Sequence, residues 1–457
     1  MKVLKFGGTS VGTVESLRHV KSIVESLEGP VVVVVSALGG LTDKLIATAA
    51  MAARRDENWL NEMSAIRNRH FDIINQLVPE AKRTDILSIV SDLLDRLSDS
   101  YKGLQLIGML PDQVLDLVVS FGERISSHIV AAIIDDCERK DSLEFVKTEK
   151  WNGKNIVDRD LTETLIRQTF SSPYSKIVIP GFISTDKETG FITNLGRGGS
   201  DFTGALVAAA LDAEILEIWT DVDGFMTADP RIVKEAFVIP YLSFTESMEL
   251  CTFGAKVIYP PTIYPVFHKN IPIKILNTFN KTAPGTLITD NAEGSDTDVK
   301  GVTPLRNSTL FSIITNGNKI DNLRTRALNA LSKNSVRIFP VENTDPSLSF
   351  SFITTNDESS YARNLISEEF APEFNNDSLL PLKIKGDLSV IAMVGNEMRH
   401  NSRLLARVAN TLARAGINVE AFSLSNSDTT LTVAVEKENT EQALNLIHSL
   451  LFRNYFI

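Results

Sequence analysis

The sequence predicts an α/β protein in which a largely parallel sheet is followed by a smaller tandem repeat. Three observations predict it. Up to about residue 290, short apolar runs alternate with helical stretches, the pattern of a parallel sheet with crossover helices. Val31–Val35 is a run of five valines, far short of the roughly 20 apolar residues that span a bilayer, and reads as a strand buried on both faces. Beyond residue 300 the order strand, helix, strand, strand, helix occurs twice at similar lengths, a tandem βαββα(β) repeat.

In the first part, strands are expected at Val3–Phe6, Val31–Ser36, Leu143–Lys147, Ile177–Ile179, Ile215–Trp219 and Ile273–Asn277. Helices are expected at Val14–Leu27, Asp43–Ala53, Glu57–Leu77, Thr84–Leu106, Ser120–Arg139, Leu161–Phe170, Asp201–Leu211 and Phe244–Phe253. Residues 54–110 contain no glycine until Gly103 and read as a long helical insert, a lobe suited to covering a substrate. Asn291–Val299 is polar and acidic and reads as a linker. The first repeat runs strand Leu310–Thr315, helix Leu323–Ser332, strands Val336–Val341 and Leu348–Thr354, helix Ser359–Glu369. The second runs strand Leu388–Val394, helix Ser402–Ala415, strands Asn418–Leu424 and Thr429–Val435, helix Glu441–Leu450, with Gly416 as a C′ glycine. A repeat without a catalytic cluster suggests a regulatory or dimerising module.

The 457 residues suffice for two to four domains at roughly 100–200 residues each. A net charge of -11 and a pI near 5.2 disfavour nonspecific nucleic-acid binding but leave room for a local basic pocket. Two cysteines, Cys137 and Cys251, fit a reducing cytoplasm better than a disulfide scaffold, and six scattered histidines show no zinc spacing. The first residues lack the pattern of a signal peptide, since Lys2 and Lys5 interrupt it. The expectation is a cytoplasmic protein with no membrane partner.

The chemistry is carried by a series of glycine-bearing loops. Met1–Ser10 reads MKVLKFGGTS: a strand, Lys5, then Phe6 and Gly7-Gly8-Thr9-Ser10, where backbone N–H groups can approach an anion and a lysine can bridge transferring phosphates. It is not the common P-loop, whose lysine follows the glycines. Alone it is also compatible with an ordinary strand-to-helix turn. Ser36–Thr42, SALGGLT, follows the valine strand, at the strand end where open α/β sheets bind ligands, and reads equally as a plain turn. In SFGER, Glu123 is expected near a helix start, where a carboxylate also simply complements the helix dipole. Asn194–Thr203, NLGRGGSDFT, is the strongest segment. Gly198 and Gly199 make an anion-accepting backbone, Arg197 can bind a carboxylate bidentately, and Asp201 can orient an ammonium group. After strand Ile215–Trp219, Thr220 and Asp221 read as nucleotide-side residues and Arg231 as a phosphate contact. Lys256 gains weight only in this company.

KFGGTSV at residues 5–11, SFGER, LGRGGSD at 195–201, WTDVDG at 219–224, TADPR at 227–231 and FGAKVIYP at 253–260 together resemble the aspartate kinases of the amino-acid kinase superfamily, over nearly the whole chain. The resemblance implies a three-layer αβα sandwich kinase domain over 1–290, with the insert at 54–110. It implies tandem ferredoxin-like ACT domains, the first at 301–383, possibly completed by 452–457, and the second at 384–451. The length resembles the monofunctional enzymes and leaves no room for a fused homoserine dehydrogenase domain. The implied reaction moves the γ-phosphoryl of ATP to the β-carboxylate of L-aspartate, with Mg²⁺ on the phosphates and no protein metal site. By resemblance, Lys5, Phe6, Gly7, Gly8 and Ser10 hold the transferring phosphoryl. Thr42, Glu123, Arg197, Gly198, Gly199 and Ser200 hold aspartate. Asp201 organises the lysine or the substrate amine. Thr220, Asp221, Met226, Arg231, Lys256 and Val257 lie where the family binds ATP.

A homodimer through the ACT-like units and feedback by lysine or threonine are implied as well. The chain departs from lysine-sensitive relatives at Lys319–Leu323, which lacks a glycine after Gly317, and at Asn343–Ser347, where Pro346 removes a backbone donor. Asn396–Arg403 in the second unit could serve dimer contacts instead. Three other readings compete. A sister kinase for glutamate or uridylate is opposed by the insert, SFGER and the repeat. A catalytically inactive amino-acid sensor of the same fold is opposed by the presence of Lys5, Arg197 and Asp201. A nucleic-acid regulator is opposed by the charge.

Overall fold

The structure is a computed structural model that describes residues 1–151, 153–290, 299–317, 319–341, 348–396, 398, 402–424 and 428–452. Two compact units emerge. The first comprises Met1–Phe225, Pro240–Phe244 and Val257–Ala292; the second comprises Met226–Ile239, Thr245–Lys256 and the described residues of Glu293–Ile457.

The first unit opens with β1 (Lys2–Phe6), α1 (Val14–Glu25), β2 (Val31–Val35) and α2 (Leu41–Ala53). The insert supplies two long helices, α3 (Trp59–Leu77) and α4 (Glu80–Ile107), and α5 (Asp112–Ile133) follows. Next come β3 (Cys137–Arg139), α6 (Ser142–Phe145), β4 (Lys147–Trp151), β5 (Lys154–Val157) and α7 (Arg159–Thr169). The chain continues through β6 (Lys176–Pro180), β7 (Ile183–Asp186), β8 (Ile192–Asn194), α8 (Gly199–Ala210), β9 (Ile215–Thr220) and β10 (Tyr241–Leu242), and then α9 (Phe244–Thr252), which belongs to the second unit from Thr245 onward. It ends with α10 (Ile263–Phe267), β11 (Ile273–Asn277) and β12 (Thr286–Ile288).

Eight strands form the main sheet in the order β10-β12-β11-β9-β1-β2-β6-β3, parallel except between β11 and β12. All five valines of β2 are buried, as a central strand covered on both faces requires. The insert helices share the core beneath β1 and β2: Trp59, Ile66, Ile74, Leu94 and Tyr101 belong to one apolar cluster with Leu4 and Val33. Thr13 caps α1 in a reciprocal box with Ser16.

The second unit contains β13 (Val299–Ile314), α11 (Leu323–Lys333), β14 (Phe339–Val341), β15 (Ser349–Thr355), α12 (Asn356–Glu369), α13 (Ala371–Asn375) and β16 (Lys383–Gly395). It ends with α14 (Ser402–Arg414), β17 (Ala421–Leu424), β18 (Thr430–Glu436) and α15 (Thr440–Phe452). Its six strands make one sheet, β14-β15-β13-β16-β18-β17, in which the first strands of the two repeats lie side by side, antiparallel, at the centre. Gly416 takes the left-handed conformation just beyond α14, as a C′ glycine does.

Three sequence expectations need correction. The strand expected at Leu143–Lys147 is the short helix α6, because Asp141 caps the Leu143 amide at 3.2 Å; the strand begins only at Lys147. The helix expected at Ser120–Arg139 is α5, which starts at Asp112 behind Pro111 and stops at Ile133. Asp136 then turns the chain at φ 50°, and Cys137–Arg139 becomes an edge strand on β6. Glu123 therefore stands in the middle of α5, and the helix-dipole account of it fails. The small sheet β5-β4-β7-β8 was not expected, its polar strands giving little periodic signal. The linker at 291–298, the stretch Asn343–Ser347 and residues 453–457 lie outside the described residues, as does half of Asn396–Arg403.

Candidate active site

Parallel register brings the carboxyl ends of five strands together: Phe6 pairs with Val35 and Trp219, Val35 with Pro180, and Asn277 with Thr220. The chain builds outward from β1 through β2 to β6 on one side and later through β9 to β11 on the other. The order reverses at β1, and ligands of open α/β sheets bind at such a switch point.

The loop after β1 is tightly built. The Gly7 amide donates to Trp219 O (3.1 Å), and Gly7 O accepts from the Ser10 and Val11 amides (3.0 and 3.2 Å). Ser10 is fully buried, its hydroxyl 2.7 Å from that of Thr278 and 3.3 Å from Trp219 O. Phe6 stacks on Trp219. Ser10, the Gly7 amide and Phe6 thus fasten the loop to neighbouring strands, and the Gly8 and Thr9 amides take no part in these bonds. Backbone packs directly on backbone across to the loop after β2. A Cβ on Gly8 would lie 3.2 Å from Ala37 O, and one on Gly39 would lie 3.0 Å from Gly8 O.

Lys5 is the penultimate residue of β1, its ammonium 2.5 Å from Asp201 of α8, with both side chains largely buried. They line a cleft of about 230 Å³ together with Ser36, Phe182, Gly196, Arg197, Gly198, Gly199 and Ser200. Gly198 sits at the N-cap of α8 in the left-handed conformation (φ 69°), where no side chain caps the helix, and its first-turn dipole faces the loop. A Cβ on Gly198 would come within 2.2 Å of the Tyr259 side chain. Arg197 is exposed at the rim, and no carboxylate among the described residues pairs with it. Phe182 is held at φ 67°, an unfavourable region for a bulky residue, by its amide donating to Thr203 Oγ1 and its carbonyl accepting from Leu195. Asn194 shapes the same loop by accepting from the Gly196 amide (2.9 Å) and donating to Asp116.

Glu123 points from α5 beneath the loop after β2. It is 4% exposed, and its Oε2 has no hydrogen-bond partner. Burial pushes its carboxyl up to about 8, opposed by the Ala37 and Glu123 backbone amides and by Lys5. A buried carboxyl with a vacant oxygen beside Lys5 is suited to a cationic ligand group.

Thr42 occupies the first turn of α2, behind left-handed Gly40. Thr220 ends β9, its hydroxyl donating to exposed Asp221 (3.2 Å). Val257 belongs to the first unit, whereas Met226, Arg231 and Lys256 belong to the second. Arg231 forms a two-point pair with Asp229, Nε–Oδ1 2.9 Å and Nη2–Oδ2 2.7 Å. The i, i+2 spacing in TADPR is the signal for that pair. Phe182 and Asp116 had no part in the sequence reading. The Pro-Gly pair closing the buried strand β6 is the signal for Phe182, while Asp116 reaches Asn194 across 78 positions and leaves none.

Residues 1–277 match the model of the Amino acid kinase family, and residues 391–451 match an ACT domain. The chain is 32% identical to a bifunctional aspartokinase/homoserine dehydrogenase of Haemophilus influenzae over 99% of its own length and 57% of that protein's. It thus spans little more than half the length of that relative. Among solved structures it resembles E. coli aspartokinase III in complex with aspartate and ADP (R-state), at 26% identity and TM-score 0.84, covering 99% of this chain and 100% of that one. It also resembles the same enzyme in complex with lysine and aspartate (T-state), at 26% identity and TM-score 0.75, covering 99% of each chain. With the family's match spanning well over half its length, and with a glycine-loop cleft at the switch point of its sheet, this chain belongs to the amino acid kinase family.

Proposed function

We propose that the chain is an ATP-dependent aspartate kinase. A β-carboxylate oxygen of L-aspartate attacks the γ-phosphorus of ATP, the β,γ-bridging P–O bond breaks, and 4-phospho-L-aspartate and ADP form. The attacking carboxylate is already ionised at neutral pH, so no base is needed. Catalysis then rests on positioning and on neutralising charge between two anions. The observation that carries this reading is the Lys5–Asp201 pair in the cleft at the carboxyl ends of β1 and β2, rimmed by Arg197. Asp201 holds the Lys5 ammonium toward the transferring phosphoryl. Arg197 takes the α-carboxylate of aspartate, and Glu123 faces its ammonium group. Gly8, Gly198, Gly199 and Ser200 supply backbone donors, Thr42 supports the aspartate side, and Thr220, Asp221 and Val257 the nucleotide side. Likeness to an aspartokinase bound to aspartate and ADP supports both substrates.

Among the described residues no group of three or more His, Cys, Asp or Glu is arranged to hold an ion, so Mg²⁺ fits as a partner of the nucleotide phosphates and water. When bound, it offsets phosphate charge. The reaction would open lysine, threonine and methionine synthesis. The kinase domain is taken as 1–290 and the ACT-like halves as 301–383 and 384–451. They are read as the site of feedback by lysine or threonine, with lysine favoured by the likeness to a lysine-bound aspartokinase, and as the contact of a homodimer. No helix among the described residues is long and apolar enough to cross a membrane; a cytoplasmic setting is proposed.

The test is an ATP- and Mg²⁺-dependent hydroxamate assay with L-aspartate, repeated with lysine and with threonine. Aspartyl hydroxamate is the expected product. ADP release only with glutamate or another acceptor overturns the substrate, and no turnover with any acceptor favours an amino-acid sensor.

A further inference from the structure

The insert helix α3 reaches the site through one side chain. Arg69 Nη2 donates to Gly12 O and to Gly39 O, each at 2.9 Å. Gly12 closes the loop after β1 and Gly39 lies in the loop after β2. These two loops also pack backbone against backbone: a Cβ on Gly12 would lie 3.3 Å from the Gly39 amide nitrogen. Arg69 is anchored by its surroundings. The next residue, His70, is fully buried, its Nδ1 2.7 Å from Ile66 O, and Ile66, Ile73 and Ile74 pack into the core beneath β1 and β2. The half-buried guanidinium faces two carbonyls and no carboxylate among the described residues pairs with it, so its bonds go to tying these two loops together.

We propose that Arg69 is a positioning residue: it bridges the loop that faces the phosphoryl donor and the loop that faces the acceptor, and so fixes the separation across which the phosphoryl group passes. This rests on the kinase reading. Arg69 touches neither substrate. It sets the mutual alignment of two loops, each of which keeps its own ligand contacts. Misplacement by about 1 Å can cost about a hundredfold in rate, so the loss appears in turnover rather than in binding.

The experiment uses the full chain and compares Arg69→Met and Arg69→Lys with wild type by steady-state kinetics in both substrates, alongside thermal melting. Arg69→Met is expected to lower kcat at least tenfold while the KM for aspartate and for ATP each stays within about twofold. Arg69→Lys, which keeps N–H donors near the two carbonyls, is expected to recover a large part of kcat. A purely structural role would lower the melting temperature and the active fraction and leave kcat per active site unchanged. That outcome, or unchanged kcat in Arg69→Met, or a rise in both KM values without loss of kcat, overturns the proposal. A wild type without aspartate-dependent ADP formation overturns the kinase reading instead, so the two failures are separate.

Discussion

Replacing Glu123 by glutamine should make the protein more stable at pH 8 while impairing its use of aspartate. Below pH 4.5 the Glu123 carboxyl is protonated in folded and unfolded chains alike and carries no penalty. Between 4.5 and about 8 the unfolded chain ionises while the folded one does not, so native stability falls as pH rises through this window. At about 1.4 kcal/mol per pH unit, the interval from 4.5 to about 8 corresponds to at most about 5 kcal/mol. Glutamine avoids that penalty, but places an amide N–H₂ where Oε2 already lacks a partner, which costs about 1–3 kcal/mol. The net gain at pH 8 is then at most about 2–4 kcal/mol, or at most about 4–8 °C in a domain of this size. Thermal melts of wild type and variant at pH 5, 6.5 and 8 measure it: the variant should be the less stable of the two at pH 5, and the difference should reverse and widen in its favour as pH rises. Saturating aspartate should flatten the wild-type trend, because its ammonium group gives the buried carboxylate a partner. A pH-independent difference, or a variant less stable at pH 8, would refute the reasoning.

Lys5→Ala should lower kcat by at least about a hundredfold, the scale of losing one electrostatic stabiliser; near-normal turnover would remove Lys5 from phosphoryl transfer. Arg197→Ala should raise the KM for aspartate far more than that for ATP, and equal effects on both would argue against an α-carboxylate contact. Gly198→Ala combines a left-handed backbone with a Cβ only 2.2 Å from Tyr259, so the start of α8 must move. Activity should fall at least tenfold, as measured by initial rates, and a fully active variant would show that the loop tolerates displacement.

The parallel sheet was legible because its signals are local. Val31–Val35 admits little but a strand buried on both faces, and the glycine loops after β1 and β2 follow their strands directly. Lys5, Arg197, Gly198 and Asp201 were legible for the same reason, each flanked by glycines next to an apolar element. Errors arose where a short range of sequence supports two structures. Leu143–Lys147 alternates like a strand, yet the Asp141 cap turns it into helix α6. SFGER reads as the start of a helix, yet α5 begins at Asp112, which puts Glu123 mid-helix. Least legible were contacts between distant segments. Arg69 is an ordinary arginine on a helix face until the fold brings Gly12 and Gly39 to it, and nothing near Ser10 in the sequence points to Thr278, against which its hydroxyl lies.

The central seam of the second unit makes its two repeats interdependent. β13 pairs with β15 only from Ser308 onward, whereas it pairs with β16 from Val299 to Ser312. The stretch Val299–Leu305, buried as far as Thr303, therefore takes its ladder partner from β16 of the other repeat, and severing the chain after residue 382 would strip it of hydrogen bonds along one whole side. The two repeats are thus a single cooperative folding block despite their internal likeness. They should melt in one transition, and a peptide carrying only the first would expose a long, sticky edge where the intact sheet ends in strands of just three and four residues, β14 and β17. Duplication supplied two copies of a motif, and the shared seam means that neither copy can be lost, swapped or re-registered without the other.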